Sequence, residues 1–131
     1  MPCYRAADTL EKAIQGIVAQ SYPNWELLLL LDGNEPADLA IAQQQAAAET
    51  RIRYFSSAKN RGVIRARNLG IRLAKGQWLA FCDADDYWFP QKLEGQLQVA
   101  QAAQANLVCS SFWYLYERTD QLAFSKVRLP K

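Results

Sequence analysis

Apolar and polar positions along this chain change period several times, from helical to strand-like and back. Leu10, Ala13, Ile14, Ile17 and Val18 recur at helical spacing and form one apolar face. Asp8-Thr9-Leu10-Glu11 ahead of them fits a capping box, with Asp8 as cap and Glu11 three residues on. Pro23 disfavours helix in the residue before it, so this helix is expected to stop near Ser21. Glu26 to Leu31 then predicts a strand buried on both faces, as in a parallel sheet, and Asp32-Gly33-Asn34 ends it. Pro36 suits the start of a second helix through Leu39, Ala42, Ala46 and Ala47. Its Gln/Ala-rich composition favours helix but leaves a weak apolar face, which places it at the periphery.

Ile52 to Phe55 reads as a short strand and Ser56 to Gly62 as a polar loop. Val63 to Ala74 predicts a helix with Ala66, Leu69, Gly70 and Leu73 inward, closed by Lys75 in the last turn and Gly76 at the C-cap. Trp78 to Cys82 follows as a buried strand, Gln91 to about Ala105 as an amphipathic helix, and Leu107 to Tyr116 as a strand. Strands alternating with helices indicate an α/β domain with a parallel sheet. Such a domain should open with a strand, yet Met1-Pro2-Cys3-Tyr4-Arg5 reads as the exit loop of one. The chain is therefore expected to begin just after its first strand.

At 131 residues, half of them hydrophobic, the chain makes one domain with a core. A net charge of +2 from scattered basic residues argues against a nucleic-acid surface. The sequence has no histidine, which excludes an imidazole base, a Ser-His or Cys-His pair and a His-ligated zinc. Cys3, Cys82 and Cys109 are an odd number without close pairing, and the last two lie in apolar runs where buried free thiols are common. A reducing compartment such as the cytoplasm is the simpler assumption. Leu27 to Leu31 is far too short to span a bilayer, and no signal peptide precedes the first helix.

Phe81-Cys82-Asp83-Ala84-Asp85-Asp86-Tyr87-Trp88 carries the candidate chemistry. Asp83 and Asp85 fall at the carboxyl end of a predicted strand, where open α/β sheets bind ligands. Asp-x-Asp puts two hard oxygen ligands within reach of one Mg²⁺ or Mn²⁺, which could bridge them to a diphosphate. Three carboxylates in four residues would repel one another if buried without a counter-charge. The same residues also fit a solvated turn or a cap for the following helix.

Several segments in this order resemble the family 2 glycosyltransferases: Pro2-Cys3-Tyr4-Arg5-Ala6, the stretch from Ala19 to Leu27, and Asp32-Gly33. Asn60-Arg61-Gly62, Ala66-Arg67-Asn68-Leu69-Gly70, Ala74-Lys75-Gly76 and Asp83 to Pro90 with Lys92-Leu93-Glu94 continue it, to about residue 97. The resemblance implies the GT-A fold, a Rossmann-like, open, mostly parallel sheet flanked by helices. It implies that Pro2 and Tyr4 line the nucleotide base, that Asp32 accepts its N–H, and that Arg67 or Arg65 faces the diphosphate. Asp83 and Asp85 would correspond to the family's Asp-x-Asp, with Asp85 the direct ligand of Mg²⁺ or Mn²⁺ and Asp83 serving nucleotide and metal.

The activity so implied is inverting, metal-dependent transfer of a sugar from a nucleotide diphosphate donor, UDP-linked, to a glycan or lipid acceptor. Polysaccharide or cell-surface glycan synthesis is the setting, at the inner face of the membrane if other segments or a partner recruit the chain. Two departures stand out. The family has two acidic residues before that glycine, and here the first position is Leu31. The chain also reads as truncated at both ends, so the general base is expected beyond Lys131; Glu117 and Asp120, the late carboxylates, look like turn residues. A missing first strand would expose the edges of the Leu27–Leu31 and Trp78–Cys82 strands, an aggregation hazard. A non-catalytic nucleotide-sugar-binding fragment is the alternative reading. A sugar nucleotidyltransferase is a third, without the Gly- and Arg-rich phosphate loop of that class.

Overall fold

The computed structural model describes residues 1–116 and 121–125, and the chain divides into two compact units, residues 1–91 and 92–131. The first unit is a three-stranded parallel sheet in the order β1-β2-β3: β1 Pro2–Cys3, β2 Leu27–Asp32 and β3 Ile52–Ser57. Pro2 and Cys3 pair with Leu30 and Leu31, and β3 pairs with β2 along its whole length, Leu27 opposite Ile52 through Asp32 opposite Ser57. Between and after the strands run α1 Ala7–Val18, α2 Pro36–Ala48 and α3 Val63–Leu73.

All six residues of β2 are buried, as the unbroken leucine run predicts. Leu28 and Leu30 meet Ala66 of α3, with Phe55, Leu69 and Leu73 packed around them. Leu27, Leu29 and Leu31 point to the opposite face, so the sheet is covered on both sides. Each leucine so buried contributes about 1.5–3 kcal/mol. Gly70 lets α3 come close: a β-carbon there would stand 2.8 Å from Leu30 Cδ1. On α1, Leu10, Ala13, Ile14 and Ile17 are buried as their spacing predicts, whereas Val18 is exposed.

The capping box does not form. No side chain caps α1 from within its own sequence; the Asp38 carboxylate, on α2 and 2% exposed, accepts the Ala6 N–H at 3.0 and 3.2 Å. Nor does Gly76 provide a left-handed cap for α3. Glu26 holds that exit instead, accepting Lys75 N–H at 2.5 Å and Gly76 N–H at 3.2 Å with one carboxylate oxygen and pairing Arg53 with the other.

Two strand expectations are corrected. Pro2–Cys3, read as exit loop, is itself a two-residue strand paired with β2. Trp78 to Cys82 joins no ladder, and Trp78, Leu79 and Phe81 are exposed, Phe81 by 58%. A strand needs partners for its N–H and C=O groups, and the β1 edge offers two residues of ladder. Cys82 alone of this run's large or polarisable side chains is buried.

The second unit holds α4 Lys92–Ala102 and an antiparallel pair, β4 Phe112–Tyr116 with β5 Gln121–Ser125, Phe112 opposite Ser125. The expected strand from Leu107 therefore starts later, and it pairs outside the parallel sheet. Among the described residues of α4, Ala100 is buried. Among the described residues no helix is long and apolar enough to cross a membrane.

The thiols also rearrange: Cys3 and Cys82 are buried and Cys109 is exposed. Burial pushes the Cys3 thiol up from an ordinary 9.0 to about 12. The folded chain then keeps a proton that the unfolded chain loses, so stability should fall as pH rises from 9.0 to about 12. At pH 8, a thiol-disulfide exchange reagent should label Cys109 rapidly and reach Cys3 and Cys82 only after unfolding; a second fast thiol would contradict this packing. Gly70→Val should lower stability by about 1–3 kcal/mol, read from the urea midpoint, because it presses new carbons on Leu30 within the packed cluster.

Candidate functional site

The carboxyl ends of β1 and β2 open on a cleft of about 510 Å³. Ligands bind at this end of open α/β sheets because the strand-to-helix loops leave backbone groups and helix ends pointing there. Pro2, Tyr4, Asp32, Arg67, Asp83 and Asp85 all line the cleft, so one concave surface gathers every site residue expected from the sequence. Arg65, the alternative to Arg67, is exposed on α3 and does not line it.

Tyr4 stands at one end. Its ring lies over Gly33, where a β-carbon would approach ring atoms Cδ2 and Cε2 to 3.1 Å. Gly33 has φ +139°, so both space and backbone conformation call for glycine. The Arg5 guanidinium sits 5.2 Å from the Tyr4 ring centroid and bonds Glu35 at 3.1 Å, with Arg5 itself at φ +52°. Asp38 secures the end of this loop at Ala6. Tyr4 thus presents a partly exposed aromatic face on a braced loop.

Asp32 closes β2 and is 7% exposed. Its Oδ1 accepts the Arg61 N–H at 2.8 Å and its Oδ2 the Gly62 N–H at 2.7 Å. The polar loop after β3 is therefore folded onto the end of β2 by one carboxylate. Gly62, at φ +89°, turns the chain into α3, and its N–H is shared with Asn60 Oδ1 at 2.9 Å. The expected partner of Asp32 is a base N–H, but both oxygens first serve this loop; each keeps a second lone pair. Asn60-Arg61-Gly62 is visible in the sequence as a polar turn, yet nothing there signals that Asp32 is its anchor.

Asp83 begins a turn closed by Asp86 N–H on the Asp83 carbonyl at 3.2 Å. Arg67 Nη2 donates to Asp83 Oδ1 at 2.6 Å, which sets a counter-charge beside Asp83, while Asp85 and Asp86 are exposed. Arg67 Nε is buried and has no acceptor among the described residues. Asp85 is exposed and unpaired among the described residues.

Beyond the turn, the C-terminal part of α1 and the residues just after it hold the segment down. Gln20 Nε2 donates to the Gly16 and Phe89 carbonyls at 2.9 and 2.8 Å, and Ser21 N–H donates to the Pro90 carbonyl at 2.8 Å. Trp88 is buried, its backbone so near α1 that a β-carbon on Gly16 would meet Trp88 N and O at 3.1 Å. Glu117 and Asp120, the late carboxylates, lie outside the described residues.

Asp85 and the second oxygen of Asp83 are hard donors that suit Mg²⁺ or Mn²⁺. Among the described residues no three His, Cys, Asp or Glu side chains gather into a metal cage. These residues fit a cation that takes its other oxygens from water and a bound phosphate ligand, as Mg²⁺ commonly does.

Residues 1–127 match the sequence model of Glycosyl transferase family 2, and the chain belongs to that family. An Escherichia coli relative, the UDP-Glc:alpha-D-GlcNAc-diphosphoundecaprenol beta-1,3-glucosyltransferase WfgD, is 33% identical over 99 residues, 76% of this chain and 38% of the relative. The succinoglycan biosynthesis protein ExoO of Rhizobium meliloti is 36% identical over 104 residues, 79% of this chain and 29% of the relative. The chain thus spans well under half the length of these curated relatives. Among solved structures, a mannosyltransferase from Pyrobaculum calidifontis in complex with GDP-Man and Mn²⁺ superposes with a TM-score of 0.67. It is 22% identical and covers 84% of this chain and 32% of its own, a likeness of fold.

Asp32→Asn should cost about 2 kcal/mol, since the amide group turns a donor toward one of two N–H groups that now find an oxygen. Urea denaturation reads the loss, and limited proteolysis should show faster cutting between residues 57 and 62. An unchanged midpoint would mean that the loop holds without its anchor.

Proposed function

We propose that this chain is the donor-binding part of a metal-dependent, inverting glycosyltransferase that takes its sugar from a UDP-linked donor. The observation that carries the reading is the convergence of Tyr4, Asp32, Arg67, Asp83 and Asp85 on one cleft at the carboxyl ends of parallel strands. The cleft offers what such a donor needs in sequence: an aromatic face, an acceptor, a guanidinium and carboxylates. Tyr4 and Pro2 would pack against the base, and a remaining lone pair of Asp32 would accept its N–H, a charge-assisted bond that selects for geometry. Arg67 would meet the diphosphate. Asp85, with Asp83, would hold Mg²⁺ or Mn²⁺; bound there, the cation would neutralise charge on the departing nucleoside diphosphate.

Family membership supports the transfer reaction, and the manganese and GDP-mannose in the mannosyltransferase support a divalent cation and a nucleotide sugar. The acceptor is a glycan or a lipid-linked glycan, by likeness to the diphosphoundecaprenol glycan acted on by the Escherichia coli relative. That setting implies work at the cytoplasmic face of a membrane. Inversion also requires a base for the acceptor hydroxyl, a role assigned to none of the described residues.

Thermal melts of the chain alone, with Mn²⁺, with UDP and with both test this reading. With both present near 100 Kd, the stability gain should be about 2.7 kcal/mol, a rise on the order of 10 °C. Asp85→Asn should remove the rise while leaving the unliganded melt unchanged, since Asp85 is exposed and unpaired among the described residues. GDP in place of UDP reads base preference. No rise with either nucleotide and metal overturns the proposal.

A further inference from the structure

We infer that Arg67 and Asp83 form an exchangeable ion pair which holds Asp83 back from the cation until a diphosphate draws Arg67 away. The inference rests on the donor-site reading above and adds to it an order among the ligands. Both side chains line the same cleft, and their contact is a single bond, Arg67 Nη2 to Asp83 Oδ1 at 2.6 Å. The guanidinium is a fork made for two parallel bonds. Here one of its donors, Nε, is buried without an acceptor among the described residues. Asp83 therefore satisfies Arg67 incompletely.

The exposure of the pair points the same way. The two side chains are 38% and 47% exposed, so their attraction is screened and inexpensive to break. Each has a competing partner of higher charge. A divalent cation near Asp85 would attract Asp83 and repel the Arg67 guanidinium, which occupies one Asp83 oxygen. A diphosphate would offer Arg67 several anionic oxygens in place of one. A cation alone finds Asp83 still tied to Arg67, and a diphosphate alone must break the pair and leave Asp83 without its partner. The two together satisfy both members, because the diphosphate takes Arg67 while the cation takes Asp83. Asp85, unpaired among the described residues, is then the cation's first contact, and Asp83 its second only when the nucleotide is present.

This exchange has a signature that a purely structural pair would not give. Removing one member should strengthen binding of the ligand that competes for the other. Arg67→Met should bind Mn²⁺, measured without nucleotide, about two- to fivefold more tightly than the parent chain, the range expected when one part-exposed ion pair no longer withholds Asp83. Asp83→Asn should bind UDP in the presence of EDTA more tightly by a similar factor. In both variants the cooperativity between Mn²⁺ and UDP should shrink by about the factor that binding of the single ligand gains, as linkage requires, leaving the part that comes from direct contact of phosphate and cation.

Titration calorimetry on the full chain reads all four affinities, and a cooperative melt of each variant confirms folding. If Arg67→Met does not fold, the Asp83→Asn arm tests the same exchange. Weaker or unchanged binding in these arms, with the parent binding Mn²⁺ and UDP together, overturns the exchange and leaves the donor-site reading standing. A parent chain that binds no nucleotide under any condition overturns the donor-site reading, and the exchange with it.

Discussion

One carboxylate joins the sheet to the cleft. β2 is the central strand, buried along its whole length, and it delivers Asp32, 7% exposed, to a place where water reaches little of the charge. The two N–H groups of Arg61 and Gly62 take that role, at 2.8 and 2.7 Å. Charge-assisted bonds of this kind are roughly twice as strong as neutral ones. The loop after β3 is thus drawn over the end of β2, the turn at Gly62 aims α3 back across the sheet, and Arg67 arrives at the cleft on the first turns of that helix. The position of the cleft's guanidinium is a consequence of where β2 ends.

The acidic turn is placed by different means. Nothing in the parallel sheet pairs with Trp78 to Cys82, so the turn that follows draws little support from a ladder. Its anchors lie after it, where Gln20, Ser21 and the small surface of Gly16 grip the backbone from Trp88 to Pro90. Arg67 adds a tether from the cleft side. Asp83 therefore lies between the clamp on Trp88 to Pro90 and the guanidinium of Arg67.

Most of the first unit is legible in the sequence because its signals are local. The leucine run, the 3.6-residue spacing of α1, Pro36 at the start of α2 and Ala66 to Leu73 on α3 each state a period that burial then enforces. What is not legible depends on residues far apart in the chain. Asp8 satisfies the pattern of a cap, but Asp38, thirty-two residues from Ala6, wins the N–H because it is buried and aimed there. Glu26 replaces a glycine cap at the end of α3 for the same kind of reason. Trp78 to Cys82 has the composition of a strand, and composition cannot supply the neighbour that a strand requires. The site residues are named by their likeness to a family pattern; their grouping in one cleft follows from the βα order, whereas the bond between Arg67 and Asp83 has no trace in either motif.

Helix α1 begins at the braced loop that carries Tyr4 and ends beside the backbone of Trp88, so one rigid body ties that loop to the segment that follows the acidic turn. Its twelve residues span about 18 Å. A single inserted or deleted residue within it would change that span by about 1.5 Å and turn its last side chains by about 100°. The bare surface of Gly16 would then no longer face Trp88, and a bulkier neighbour would meet that backbone in its place.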